Sequence, residues 1–314
     1  MTNTCETLTF VRHLAHKIHA KYNDPAQRHQ IVWWLVEAVT GKSKVQLLTN
    51  SHYKISAKDR ESLHLLLHEH AVAHKPLQYL IGSVPFGNAY ITVAPPTLIP
   101  RPETEEWCLK LIEQLKPLQN EKLTILDMCT GSGCIAVALA QALPNSHIYA
   151  ADIAFEALEL ARKNALTNNI KNITFLQSDL FTNIPASTQF DLIVSNPPYI
   201  AHHVWETLEP SVKQWEDSRA LVARNNGLEV IQDIITQAPF FTKPNLHIAT
   251  LNIPQLWIEI GYDQGSIVEK LMHDAQFDNV NIAKDLAQHD RVVHGSPTIA
   301  PTGKNQMQLG KQQQ

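Results

Sequence analysis

Apolar residues in the first 75 positions recur three and four apart, as in Ile31-Val-Trp-Trp-Leu-Val and Leu63-His-Leu-Leu-Leu-His, and this spacing predicts a small helical domain over 1–75. Asp24-Pro25 reads as a helix start, with a capping carboxylate and proline at the first helical position. From 76 to 100 the pattern becomes an alternation around Gly82 and Phe86-Gly87, which predicts a β-hairpin linker. Over 101–300 short apolar runs alternate with helical stretches, the order expected of a mostly parallel α/β sheet. Strands are expected at 123–127, 147–152, 173–179 and 190–195, and the last ones at 277–283 and 291–294. The tail 301–314 is too polar to pack and reads as disordered.

Three of the expected strands end in an acid: Asp127, Asp152 and Asp179. After Asp127, the run Met128-Cys129-Thr130-Gly131-Ser132-Gly133 enters a helical stretch, as in the first strand-to-helix turn of a nucleotide-binding sheet. Its spacing is neither that of a dinucleotide fingerprint nor that of a phosphate loop, so neither a pyrophosphate nor a triphosphate is well served. Asp152 stands where a carboxylate can accept from both hydroxyls of a ribose, and Asp179 near where an adenine amino group would lie. Any one of these acids reads equally well as a helix cap. Three on successive strands are harder to assign to capping, because the fourth strand runs into Asn196-Pro197-Pro198-Tyr199.

The two prolines stiffen that loop, and Pro197 excludes Asn196 from the helical region, so the carboxamide projects from a backbone with little freedom. The Asn196 side-chain oxygen and the Pro197 carbonyl can then accept from a planar amide or exocyclic amine lying against Tyr199. Pro-Pro alone would read as a proline turn closing a strand.

At 314 residues with 44% apolar content, the chain can build two domains with a real core. Its formal net charge of −4 gives no overall basic footprint for nucleic acid. No apolar run reaches membrane-spanning length, and no signal-peptide core or Arg-rich transit pattern is present, so a cytoplasmic protein is expected. Cys5, Cys108, Cys129 and Cys134 lack zinc-type spacing and suit a reducing compartment. His13, His16 and His19, and separately His64 and His68, could each line one side of a helix. With no cysteine or carboxylate pair to complete a site, a solvated face is the better account, and no metal is expected.

The order of the Asp127 turn, Asp152, Asp179 and Asn196-Pro197-Pro198-Tyr199 resembles a class I S-adenosylmethionine-dependent methyltransferase acting on a planar nitrogen. Pro76-Leu-Gln-Tyr-Leu-Ile-Gly82, Thr97-Leu-Ile-Pro-Arg101-Pro-Glu103-Thr-Glu105, Glu209-Pro-Ser-Val-Lys-Gln-Trp-Glu216 and Glu259-Ile-Gly-Tyr-Asp-Gln-Gly265 narrow the resemblance to the HemK/PrmC family of release factor glutamine N5-methyltransferases. Cys129, at a position often glycine, and the long stretch 239–254 depart from the family pattern.

The resemblance implies a Rossmann-like, seven-stranded sheet with a late antiparallel hairpin, beside a helical domain that grips the protein substrate. It implies S-adenosyl-L-methionine held by Asp127, Cys129, Thr130, Gly131, Ser132, Gly133, Asp152, Ile153, Asp179, Leu180 and Asn196, with S-adenosyl-L-homocysteine as product. Asn196, Pro197 and Tyr199 would be catalytic and, with Pro198, bind the glutamine of the Gly-Gly-Gln motif of a class 1 peptide chain release factor. Arg101 and Glu103 would support the loop over the cofactor, unless they form only a structural pair. Alternatives are a DNA adenine N6-methyltransferase, for which there is no room for a large target-recognition domain, a glutamine methyltransferase of a ribosomal protein, whose branch lacks Arg-Pro-Glu-Thr, and an inactive binding module, which would damage the turn or Asn196.

Overall fold

A computed structural model describes residues 6–298 apart from 19–20, 51, 245–247 and 249. Cys5, His19 and the tail 301–314 therefore lie outside the described residues. The chain forms two compact units, one from the first 83 residues with Glu209–Trp215, the other from 84–208 with the residues after 215.

The first unit is helical. Helices α1 (Glu6–Lys17), α2 (Pro25–Thr40), α3 (Lys44–Thr49), α4 (Ala57–Ala71) and α5 (Leu77–Ile81) enclose Phe10, Val11, Leu14, Val32, Leu35, Val36, Leu63 and Leu67. The expected cap is present: Asp24 Oδ1 accepts from Ala26 N at 2.9 Å, and Pro25 is the first helical residue. His13, His16 and His68 are exposed, in keeping with a solvated face, whereas His64 is half-buried with its ring edge-on to Phe10 at 5.7 Å. His70, which the spacing did not single out, is the buried histidine among the described residues, with its ring between the Tyr22 hydroxyl at 2.8 Å and the Lys75 carbonyl at 2.8 Å. The segment Glu209–Trp215, expected among residues 101–300, packs in this unit, where Trp215 Nε1 donates to the Ala73 carbonyl and Lys75 sits over the indole.

The expected hairpin at 76–100 is shorter than its pattern, because α5 occupies its first residues and only β1 (Ser83–Phe86) and β2 (Ala89–Thr92) pair. The second unit then builds a seven-stranded sheet from β3 (Thr124–Met128), β4 (His147–Asp152), β5 (Ile173–Gln177), β6 (Leu192–Ser195), β9 (Leu256–Glu259), β10 (Phe277–Lys284) and β11 (Asp290–Pro297). Two short strands, β7 (Ile200–Ala201) and β8 (Val222–Ala223), pair separately. The order in the large sheet is β10-β11-β9-β6-β3-β4-β5, with β11 antiparallel to both its neighbours and the other pairings parallel.

Helices α6 (Pro102–Leu115), α7 (Cys134–Ala142) and α8 (Phe155–Thr167), with the later helices Glu229–Phe241 and Gly265–Asp274, connect these strands. Leu126, Ile193, Leu256 and Ile258 are fully buried on the central strands, each adding roughly 1.5–3 kcal/mol of burial. Chain order reverses between β3 and β6, and at such a switch point a crevice opens beyond the carboxyl ends of the strands. Among the described residues, no helix is long and apolar enough to cross a membrane.

Candidate active site

At the switch point Met128 pairs with Ser195, so the glycine turn and the Asn-Pro-Pro-Tyr loop leave the sheet side by side. Ser195 Oγ donates to the Met128 carbonyl at 2.8 Å and stitches the two strand ends together. Cys129 carries a φ of 61°, a left-handed value that favours glycine and costs a non-glycine residue of order 1 kcal/mol. That explains in physical terms why glycine is the frequent residue there. A side chain at Gly133 would meet Ala161 Cβ at 2.8 Å, so its glycine lets α8 pack against the start of α7. Space around Gly131 is open, as a close-fitting ligand would need.

Asp127 lies beneath this turn, fully buried. Its Oδ2 accepts from Thr130 Oγ1 at 2.6 Å and from Ala136 N at 3.0 Å, tying the turn to α7, while its Oδ1 has no partner among the described residues. Burial pushes the carboxyl up to about 7, against the pull of those two donors. Because the folded value lies above the unfolded one, near 4, the folded state holds the proton more tightly between them. This contribution to stability is complete below pH 4 and lost as pH rises through about 7. Asp127→Asn does not titrate, so between pH 5 and pH 8 its stability should gain about 2–3 kcal/mol on the wild type. Denaturant unfolding of both proteins at the two pH values checks this; parallel behaviour would refute it.

Asp152 reaches the same turn. Asp152 accepts from Gly131 N through Oδ2 and from Ala154 N through Oδ1, at 2.8 and 2.9 Å. Burial raises its carboxyl, and the backbone donors oppose this. Beside it Ile153 remains 53% exposed, an apolar surface at the rim of the crevice. Asp179 is exposed and Leu180 takes a left-handed turn with φ 46°, held by Ser178 Oγ donating to its carbonyl. Burial raises the Cys129 thiol, and the charges of Asp152, Asp127 and Asp179 add to it. An open glycine cradle, carboxylates and an exposed apolar side chain fit a nucleoside with a cationic amino-acid end.

Across the crevice Pro197 is buried, while Asn196, Pro198 and Tyr199 are half-buried. Asn196 Nδ2 donates to Thr104 Oγ1 at 3.1 Å, and Thr104 Oγ1 donates to Glu259 Oε2 at 2.7 Å. Trp107 Nε1 donates to the same oxygen at 2.7 Å, and the Tyr199 hydroxyl reaches Glu259 Oε1 at 3.4 Å. Burial and the neighbouring Glu259 push the Tyr199 phenol well above its ordinary value, so it remains protonated and is no general base.

Two family descriptions match, "Methyltransferase small domain" over residues 109–214 and "PrmC N-terminal domain" over 11–82. A release factor glutamine methyltransferase of Vibrio cholerae is 37% identical over 261 residues, spanning 82% of this chain and 85% of its own. One from Lactococcus lactis is 36% identical over 283 residues, spanning 88% and 96%. The chain belongs to the release factor glutamine methyltransferase family. Its sheet is that of a class I methyltransferase, with the single reversed strand one place in from the edge. A solved release-factor-specific protein-(glutamine-N5) methyltransferase from Alicyclobacillus acidocaldarius is 23% identical, covers 63% of this chain and 94% of its own, and overlays with a TM-score of 0.37.

Arg101 and Glu103 do not form the structural pair that stood as the alternative to a loop-supporting role. Arg101 Nη2 instead donates to both oxygens of the buried Glu216, at 2.7 and 2.8 Å. Arg101 immediately precedes α6, and its side chain spans to a segment 115 residues later in the chain. Glu103 instead lines a small cleft with Lys110, Lys284 and Arg291.

Thr104, Trp107 and Glu259 stood outside the expected site residues. Asn164 did too, although its buried carboxamide donates to the carbonyls of Ser132 and Thr92 and so braces the glycine turn.

Proposed function

We propose that this cytoplasmic enzyme transfers a methyl group from S-adenosyl-L-methionine to the side-chain amide nitrogen of the glutamine in the Gly-Gly-Gln motif of a class 1 peptide chain release factor. The observation that carries the reading is Asn196, whose amide nitrogen is engaged by Thr104 while its oxygen takes no hydrogen bond from a described residue, beside the acid-rimmed turn.

S-Adenosyl-L-methionine supplies an electrophilic sulfonium methyl and leaves as neutral S-adenosyl-L-homocysteine. Asp152 would accept from the ribose hydroxyls with the lone pairs its backbone donors leave free. Ile153, Asp179 and Leu180 would flank the adenine. Cys129, Thr130, Gly131, Ser132 and Gly133, supported by Asp127, would let the amino-acid end pass close to backbone.

A carboxamide nitrogen is a poor nucleophile because its lone pair is shared with the carbonyl. The site must therefore bind the transition state better than the bound substrate. Asn196 Oδ1 and the Pro197 carbonyl would accept from the two N–H groups of the glutamine, favouring positive charge on nitrogen and aiming the lone pair at the methyl. Pro198 and Tyr199 would fix the amide plane and exclude water. The methylated nitrogen loses its proton to water, so no side-chain base is required.

Incubation with methyl-labelled S-adenosylmethionine and unmethylated release factor, with duplex DNA in parallel, tests this. Label mapped by mass spectrometry to the Gly-Gly-Gln glutamine is the expected result; label on DNA alone, or on neither, would overturn it.

A further inference from the structure

Glu259 is a carboxylate with 1% exposure at the end of a central strand, and an isolated charge there is costly unless it is well bonded. Its donors settle the direction of every hydrogen bond nearby. Trp107 Nε1 can only donate, so Glu259 Oε2 is an acceptor, and the Thr104 hydroxyl, 2.7 Å from the same oxygen, must spend its single proton on it. Thr104 then has only lone pairs to offer Asn196. The carboxamide must turn its NH2 group to Thr104, which leaves Oδ1 on the opposite side. With the amide reversed, two oxygens would face each other with no proton between them.

We propose that Glu259 is a positioning residue for methyl transfer, acting through Thr104 to lock the orientation of the Asn196 carboxamide and to draw negative charge onto its Oδ1. The inference rests on the function proposed above and extends it from the loop to the scaffold behind it. Hydrogen bonds in a chain polarise one another, and here the chain ends on a buried carboxylate, which burial raises and the Trp107 and Thr104 donors pull back down. An N–H bonded towards that carboxylate makes its own carbonyl oxygen a stronger acceptor. The benefit grows as positive charge builds on the substrate nitrogen, so it belongs to the transition state more than to binding.

Glu259→Gln could repack, so the primary variant is Thr104→Val, which keeps the shape and removes the relay. Thr104→Val should lower kcat of the order of tenfold or more while KM for the release factor stays within about threefold. Thr104→Ser should restore the rate, and Thr104→Val with Glu259→Gln should be no slower than the slower single variant. Nitrogen-15 spectra supply a readout independent of turnover: the Asn196 side-chain protons should move upfield in Thr104→Val and shift in Glu259→Gln. A wild type that labels no release factor would defeat the proposed function, while these spectra would still judge the relay. Unchanged Asn196 resonances, or a Thr104→Val kcat equal to wild type, would overturn it.

Discussion

Asn196→Ala is expected to slow methyl transfer about 10²–10³-fold, the range seen when one preorganised group facing developing charge is removed. The variant keeps the sheet, the glycine turn and both prolines, so the affinity for S-adenosylmethionine should change far less than kcat. It should also remain folded, because Asn196 is half-buried and contributes one hydrogen bond, to Thr104, worth about 1 kcal/mol. Asn196→Asp sharpens the test. Aspartate has the same shape and retains an acceptor, yet it cannot donate to a Thr104 hydroxyl whose proton is committed to Glu259. It should therefore be as slow as alanine. Single-turnover transfer to unmethylated release factor, alongside calorimetric titration of the cofactor, separates the effects. A rate within threefold of wild type in Asn196→Ala would remove Asn196 from the mechanism.

The residues that lie at strand ends were the legible part of this molecule. Asp127, Asp152, Asp179 and Asn196 each follow an apolar run, and the parallel sheet delivers such positions to one edge. The same rule applied to Leu256-Trp-Ile-Glu259 points to the buried carboxylate at the end of a fifth strand. Thr104 was not legible in that way. Its role depends on α6 bringing its first turn against a strand end 155 residues away, and nothing local marks one threonine in Arg-Pro-Glu-Thr as the bridge. The Arg101–Glu216 pair is illegible for the same reason, since charge complementarity within a motif is visible in sequence and a long-range pair is not. The helical unit was legible through its spacing and its cap. The segment Glu209–Trp215 was not, because seven residues anchored by one indole carry no periodicity.

Among the described glycines, Gly227→Ala should be the most damaging substitution by alanine. Gly227 has a φ of 85° and follows Asn225 and Asn226, with φ values of 51° and 53°, so three successive residues take the left-handed conformation. That run carries the backbone directly against Tyr199. A Cβ at 227 would overlap the Tyr199 carbonyl oxygen, lie 2.7 Å from its carbon and 2.9 Å from Gln264 Nε2. Gln264 is the residue that holds this carbonyl, donating at 3.0 Å while its own oxygen accepts from Gly261 N at 2.8 Å. The pairing of β7 with β8 just beyond Tyr199 leaves the loop little room to retreat. Left-handed strain and overpacking together should cost about 3 kcal/mol or more. The displaced loop should also lose about 10²-fold in kcat among molecules that still fold, since a 1 Å misplacement near reacting atoms has that effect. Gly41→Ala is the matched control: φ is 65°, no atom lies within 4 Å of the added carbon, and the site belongs to the helical unit. It should lose about 1 kcal/mol from strain alone and keep the wild-type kcat. Thermal unfolding with single-turnover transfer on both variants decides the matter. A Gly227→Ala protein as active per folded molecule as Gly41→Ala would mean that the backbone contact at Tyr199 serves the fold and leaves the placement of the catalytic loop untouched.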